Sequence, residues 1–272
     1  MHAVVCVKQV PDTAEVRIDP ETNTLIREGV PSIINPFDAH AVEAAVQLKE
    51  MVGGKVTVLS MGPPQAAEVL RKAISMGADE AVLLSDRAFA GSDTLATSYI
   101  LSQAIQKIAE KEPVDIVLCG KQAIDGDTAQ VGPGIAVRLG YNQLTYVMKI
   151  DSLDMEKNEI KIRRKLEGQT EVAIAKLPAL LTVVKDINEL RYAPFPDMLK
   201  AATAQVKIWG KNDFHLEDEQ LGLKGSPTTV RKIFAPPVKA GGKMIPDADK
   251  DPQKASAELA DILLKTIIIA DK

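Results

Sequence analysis

Residues able to do chemistry gather in Gly120–Pro133, which reads GKQAIDGDTAQVGP. Gly120 and Gly126, the carboxylates Asp125 and Asp127 and the hydroxyl of Thr128 stand close together there. The chemistry that suits such a turn is anion binding. The short, apolar, β-branched run Val114–Cys119 precedes it and reads as a buried strand. Apolar residues at Val131, Ile135, Val137 and Leu139 follow it and predict a helix over Thr128–Leu139. Unpaired N–H groups and the positive dipole end at a helix start favour a phosphate. Asp127 or Thr128 is placed to cap that helix, and Gly126 removes a Cβ from a ligand's approach. An ordinary capped strand-to-helix turn has the same grammar. The spacing matches neither the dinucleotide-binding glycine fingerprint nor the phosphate loop of nucleoside triphosphatases.

The elements that must position this turn come from an α/β pattern. Ala3–Val7, Lys55–Ser60, Glu80–Leu84 and Val114–Cys119 read as core strands. Between them lie helices. The first has Asp38 as its cap, carries Ala41, Ala44, Ala45, Leu48 and Val52 on one face, and stops at Gly53-Gly54. The others span residues 64–76 and Asp93–Lys111, and a surface hairpin is predicted over Val16–Ile26. Strands alternating with helices predict a mostly parallel sheet covered on both faces, with ligands at the strand carboxyl ends. Three loops leave those ends: Lys8–Thr13, Met61–Pro64 and Gly120–Thr128. If the strands are neighbours, the loops converge on one crevice.

Beyond Gly140 the grammar turns antiparallel. Leu144–Asp151, Glu159–Lys165, Thr170–Ile174 and Ala179–Val184 are short and β-rich, and predict a hairpin extension of the sheet. In Asn188–Lys200 two prolines bracket Phe195, which places this aromatic on a stiff loop. With Met198 and Leu199 it forms a docking knob, unless it tucks back onto its own domain. From Lys207 onward apolar residues are scattered until Ser256–Ile269, which reads as a helix. The division is a domain over residues 1–205 and an arm over 206–272. The arm packs on a partner subunit or returns to its own sheet.

Composition narrows the function. The chain has 272 residues, a net charge of −4 and 4% aromatics, so neither a nucleic-acid footprint nor base-stacking platforms are expected. Three scattered histidines give no metal cluster, and no run reaches membrane-spanning length. The start enters a strand pattern rather than a signal peptide. Cys6 and Cys119 each sit in a buried strand and read as small core residues. The expected compartment is the cytoplasm.

Five blocks together carry a resemblance. They are VKQVPD from Val7, INPFD at Ile34–Asp38, MGADEAV at Met76–Val82, the Gly120–Pro133 turn, and RYAPFPDMLKA at Arg191–Ala201. In this order they resemble the small (β) subunit of electron-transfer flavoproteins, over roughly residues 1–200. The resemblance implies a Rossmann-like, adenine nucleotide hydrolase-like fold and a heterodimer with a larger α subunit that carries FAD. It also implies an adenine nucleotide in this subunit's crevice. The site it implies comprises Val7, Lys8, Asn35, Met61, Gly62, Ala123, Asp125, Gly126, Asp127, Thr128, Ala129, Gln130, Val131 and Gly132. Asp125 is expected to brace the turn, because a carboxylate repels a phosphate.

DGDTAQVGP is similar to the bacterial and archaeal branch, which includes electron-bifurcating members. Small residues at Gly126, Ala129, Gly132 and Gly134 would leave room for a pyrophosphate and flavin. FAD is therefore expected here, with AMP as the alternative, and NADH is the implied electron donor. Ferredoxin or flavodoxin would be the low-potential acceptor, and an acyl-CoA dehydrogenase would dock at Tyr192, Phe195, Met198 and Leu199. Thr13 and Phe37 would approach the α-subunit flavin, although Phe37 is equally placed to pack on its own helix. Two features depart from the mitochondrial pattern: Phe195 replaces the usual leucine, and Ala201-Ala202-Thr203-Ala204 replaces a lysine cluster. No acid, base or nucleophile is assembled, so any NADH oxidation belongs to the α–β complex and its flavin chemistry. A conventional carrier with structural AMP, and an adenine-nucleotide-binding protein of the same fold, are the competing functions.

Overall fold

The computed structural model describes residues 1–12, 17–18, 25–26, 31–231, 242, 244–245 and 249–270. The chain divides into two compact units, Met1–Ile233 and Phe234–Lys272.

The first unit begins with β1 (His2–Cys6), β2 (Gln9–Pro11), β3 (Arg17–Ile18), β4 (Leu25–Ile26) and β5 (Ser32–Ile34). The pairs β2/β5 and β3/β4 are antiparallel, so the expected hairpin is present between Arg17 and Ile26. Then follow α1 (Pro36–Val52), β6 (Lys55–Met61), α2 (Ala67–Ser75), β7 (Glu80–Leu84), α3 (Thr94–Ala109), β8 (Ile116–Gly120) and α4 (Val131–Leu139). The remaining elements of this unit are β9 (Asn142–Asp154), β10 (Glu159–Leu166), β11 (Gln169–Lys176), β12 (Ala179–Val183), α5 (Phe195–Thr203) and β13 (Lys207–Trp209).

One nine-stranded sheet runs in the order β11-β10-β9-β12-β8-β1-β6-β7-β13. Every pair from β9 to β13 is parallel, and only β9/β10 and β10/β11 are antiparallel. This is a Rossmann-like α/β fold with an antiparallel extension. Alternate residues of the central strands face opposite helix layers. Ala3, Val5, Val58, Leu83 and Leu118 pack with residues of α1 and α2. Val4, Leu59, Val82, Leu84 and Val117 pack with residues of α3 and α4. Burial on both faces explains why these strands read as continuous apolar runs rather than alternating ones.

Four expectations change. Ala179–Val183 does not continue the hairpins; it inserts between β8 and β9, parallel to both. All five of its residues are buried, and a run apolar on both sides suits an interior strand. The boundary expected at residue 205 moves outward, because β13 adds a parallel edge strand to β7 and Leu221 is buried against the α3/α4 layer. Phe195 is not held on a loop. It opens α5, with Pro194 before it and Pro196 in the first turn. Asp38 lies inside the first turn of α1, whose flanking residue is Asn35.

The second unit contains α6 (Pro252–Ala270), on which Leu259, Leu263 and Leu264 are exposed. Among the described residues, no helix is long and apolar enough to cross a membrane.

Candidate functional site: a crevice where the strand order reverses

From β1 the chain builds outward through β6 and β7, then α3 carries it across to place β8 on the other side of β1. Loops leaving β1 and β8 therefore diverge to opposite faces, which opens a crevice at their carboxyl ends. A cavity of about 470 Å³ lies there. That volume is within the range usual for small-molecule sites, roughly 300–1,000 Å³.

One wall is the turn that follows β8. Gln122, Ala123 and Gly126–Gly132 line the cavity, together with Val7, Lys8 and Met61 from the other strand ends. Asp127 and Ala129 adopt the left-handed conformation, with φ of 52° and 55°. Gln130 returns to the right-handed region at φ −100°. Such alternation turns successive N–H groups inward and forms an anion-binding nest. The sequence predicts that Asp127 or Thr128 caps the following helix. Instead α4 begins at Val131, its flanking residue is Gln130, and no side chain caps it. Its first N–H groups are left to a ligand or to solvent, which strengthens the anion reading.

Several residues support the turn without forming its wall. Asn35 is fully buried; its side chain donates to the Gln122 carbonyl at 2.8 Å and accepts the Ile124 N–H at 3.2 Å. Asp125 accepts from Lys8 Nζ at 2.7 Å, and the two charges offset each other. Gly62 gives its N–H to the Leu84 carbonyl and stands outside the cavity wall. Of the small residues expected to make room for a ligand, Gly126 does face open space. Gly132 and Gly134 are small for packing reasons. A Cβ on Gly132 would meet Thr182 Cγ2 at 2.6 Å, and one on Gly134 would meet Ser98 at 2.8 Å.

The opposite wall is not anticipated by the sequence reading. Ser92, Asp93, Thr94 and Thr97 from the start of α3, with Leu101 and Val230, face the turn across the cavity. Asp93 Oδ1 accepts the N–H groups of Leu95 and Ala96, and Oδ2 accepts the N–H and hydroxyl of Thr228. Burial acts to raise its pKa, but these hydrogen bonds outweigh it and hold the carboxyl below the usual range. The signal for this wall was present, since β7 also ends at this edge and Asp93 stands before an apolar helix. Val230 carried no comparable signal. The floor is formed by Cys6, Leu59 and Cys119.

Asp38 ties the two diverging strands together. Its carboxylate accepts the Lys8 N–H at 2.7 Å and the Gly120 N–H at 3.1 Å. Burial pushes its pKa up to about 7, offset in part by hydrogen bonds from Asn35, Lys8 and Gly120. Beside it, Phe37 lies under two cations, with Lys185 Nζ 5.2 Å and Lys121 Nζ 5.9 Å from its ring centre. Thr13 lies outside the described residues.

The residues expected to dock a partner stand apart from the crevice. Tyr192 is 99% exposed and Phe195 71%, with Met198 and Leu199 exposed beside them. Their segment is fastened to α1 by Arg191, which bonds both oxygens of Glu43 and reaches Glu50 at 2.6 Å.

Comparison with known proteins decides the family. The model of the electron transfer flavoprotein domain matches residues 22–213. The chain belongs to the electron transfer flavoprotein family. It is 52% identical to the Protein FixA of Azotobacter vinelandii, over 96% of this chain and 94% of that protein. It is 52% identical to the electron transfer flavoprotein subunit beta of Clostridium acetobutylicum, covering 94% and 95%. The subunit beta of Megasphaera elsdenii is 49% identical over 99% of this chain and all of its own length. As an electron transfer flavoprotein small subunit, the chain implies a large-subunit partner. The nest and the uncapped start of α4 offer N–H donors, and the floor is apolar.

Proposed function

We propose that this electron transfer flavoprotein small subunit holds FAD in the crevice between β1 and β8 and takes part in electron bifurcation with its large subunit. Electrons from NADH are then divided. One share passes to the large-subunit FAD and an acyl-CoA dehydrogenase, the other to ferredoxin or flavodoxin. The observation that carries the reading is the uncapped nest at Asp127–Gly132 facing a cavity of about 470 Å³. A bound flavin supplies two-electron acceptance and one-electron release. The chain's residues supply position and access. N–H groups of Thr128–Gly132 grip phosphate, while Asn35 and the Lys8–Asp125 pair keep that turn in shape. Leu59, Leu101 and the two cysteines exclude water. Phe37, flanked by Lys121 and Lys185, meets the flavin of the large subunit, with Thr13 nearby. Tyr192, Phe195, Met198 and Leu199 form the knob that enters the dehydrogenase, and the C-terminal arm packs on the large subunit.

A second reading is favoured by one feature. Of the two helix starts at the cavity, α3 is already capped by Asp93, which leaves phosphate donors at α4 alone. A single phosphate then suffices, and the occupant is structural AMP in a conventional carrier.

The test is to release and chromatograph the nucleotides of the purified α–β complex. Two FAD per heterodimer are expected. One FAD with one AMP overturns bifurcation in favour of the conventional carrier. ATP turnover by the isolated chain would point instead to an adenine-nucleotide-binding protein of the same fold.

A further inference from the structure

Cys6 and Cys119 are register partners on the adjacent parallel strands β1 and β8. Registered residues on neighbouring strands send their side chains to the same face, and strands lie about 4.8 Å apart. Both cysteines accordingly fall in the α3/α4 layer, and both line the floor of the cavity. Strand spacing of that order is inside the Cα separation a disulfide tolerates, roughly 4.4–6.8 Å. Both thiols are free. They are 8% and 6% exposed, and the exposure they keep is toward the cavity. The neighbouring Cys6 sulfur, then burial, raises the Cys119 thiol well above its ordinary range.

We propose that Cys6 and Cys119 form a dithiol redox site in the cavity floor. A low-molecular-weight disulfide closes it to an intrachain disulfide when the cavity is free, and a bound adenine nucleotide shields it. The shielding rests on the nucleotide reading above; the pairing of the thiols does not. In the first step the thiolate of one cysteine attacks one sulfur of the oxidant, breaks its S–S bond and releases one small thiol. The other then loses its proton, attacks the cysteine sulfur of the mixed disulfide and releases the second small thiol. Two cysteine S–H bonds become one S–S bond. The two electrons and two protons leave as two small-molecule thiols.

The site explains a feature that the nucleotide chemistry leaves unused. Packing alone would be served by alanine, valine or serine at either position, yet two thiols meet where β1 and β8 diverge. A bridge there ties the Lys8 turn to the Gly120 turn and stiffens both walls that a nucleotide must enter between.

The experiment uses the full-length chain in complex with its large subunit, treated with glutathione disulfide and digested with trypsin without reduction. Cleavage after Lys8, Lys111 and Lys121 isolates the two cysteines on Met1–Lys8 and Glu112–Lys121. With nucleotide removed, these two peptides are expected joined and lighter by two hydrogens. Cys6→Ala is expected to leave a glutathione adduct on Cys119, and Cys119→Ala the reverse. Separate adducts on both cysteines of the unsubstituted chain, or no reaction at either, overturn the proposal. A parallel arm contains AMP at ten times its dissociation constant, measured by equilibrium dialysis. Linkage should then slow roughly ten-fold, because only the free fraction reacts. Equal rates with bound AMP overturn the shielding. Dialysis that shows neither AMP nor FAD bound overturns the nucleotide reading and the shielding, while the linked peptides still decide the dithiol site.

Discussion

The Gly120 N–H meets the buried carboxylate of Asp38 at 3.1 Å, and no side chain larger than hydrogen fits between them. A Cβ on Gly120 would stand 2.3 Å from Asp38 Oδ1 and 2.6 Å from Phe37 Cβ. Neither neighbour is the free end of a flexible chain. Gly120→Ala is therefore expected to destabilise the chain by about 2–3 kcal/mol. Chemical denaturation should show the loss as a lower midpoint with an unchanged slope.

The same carboxyl makes stability depend on pH. Its pKa rises from 3.8 to about 7 because burial disfavours the charge. A group whose folded-state pKa is raised contributes stability that is fully present below its unfolded pKa. That stability is lost as pH rises through the folded value. Unfolding free energy measured across this window should fall as pH increases from about 4 to about 7. Asp38→Asn should flatten that slope. It also turns an NH₂ toward one of the two backbone N–H donors, at a cost of about 1–3 kcal/mol.

Glu80 should act at the acid end with the opposite sign. Hydrogen bonds from Lys55 and Lys207, both at 2.9 Å, lower its pKa from 4.5 to about 2. Its contribution is present above the unfolded pKa and disappears as pH falls through the folded one. The side chain is 37% exposed, so solvent screening keeps the effect small, about 1 kcal/mol or less. Glu80→Gln should flatten the acid limb of the pH–stability curve, lowering stability by that small amount above about pH 4.5 and leaving it unchanged near pH 2.

Arg191 holds the docking segment against α1 by a two-pronged bond to Glu43, which is 2% exposed. Its own pKa is raised further, first by the hydrogen bond to Glu50 and then by that to Glu43. Arg191→Met leaves Glu43 buried without its cation, a change expected to cost about 3 kcal/mol. Lysine is not expected to restore it, because one ammonium cannot reproduce the planar fork. Hydrogen exchange should show residues 188–200 losing protection before the central strands do.

Phe195 offers the complementary test, since it is 71% exposed and its removal costs the fold little. Phe195→Ala is expected to leave the melting temperature unchanged. It should weaken binding to the proposed dehydrogenase partner by about 2 kcal/mol, roughly thirty-fold in Kd, measured by titration calorimetry.

Much of the local architecture was legible in sequence. The strands at Glu80–Leu84 and Glu159–Leu166, the helix across residues 67–75, and the strand–turn–helix around Gly120 follow from contiguous periodicity. The turn after β8 was legible for the same reason, because glycines, carboxylates and a helix start lie within one short stretch. Its cap was not. Left-handed backbone at Asp127 and Ala129 postpones the helix to Val131, and these residue types do not announce that conformation.

What the sequence by itself determined is the run of central strands and helices up to residue 140, the turn and the family, because each is written in adjacent residues or in blocks that keep their order. Which strands become neighbours was decided only by the tertiary structure. That choice inserted Ala179–Val183 beside β8, set Asp93 and Val230 across from the turn, and paired Cys6 with Cys119. It also brought Arg191 to a glutamate 148 residues away. The physical reason is that strand order follows from burying two apolar faces at once. That requirement spans the whole chain and leaves no mark in any short window of it.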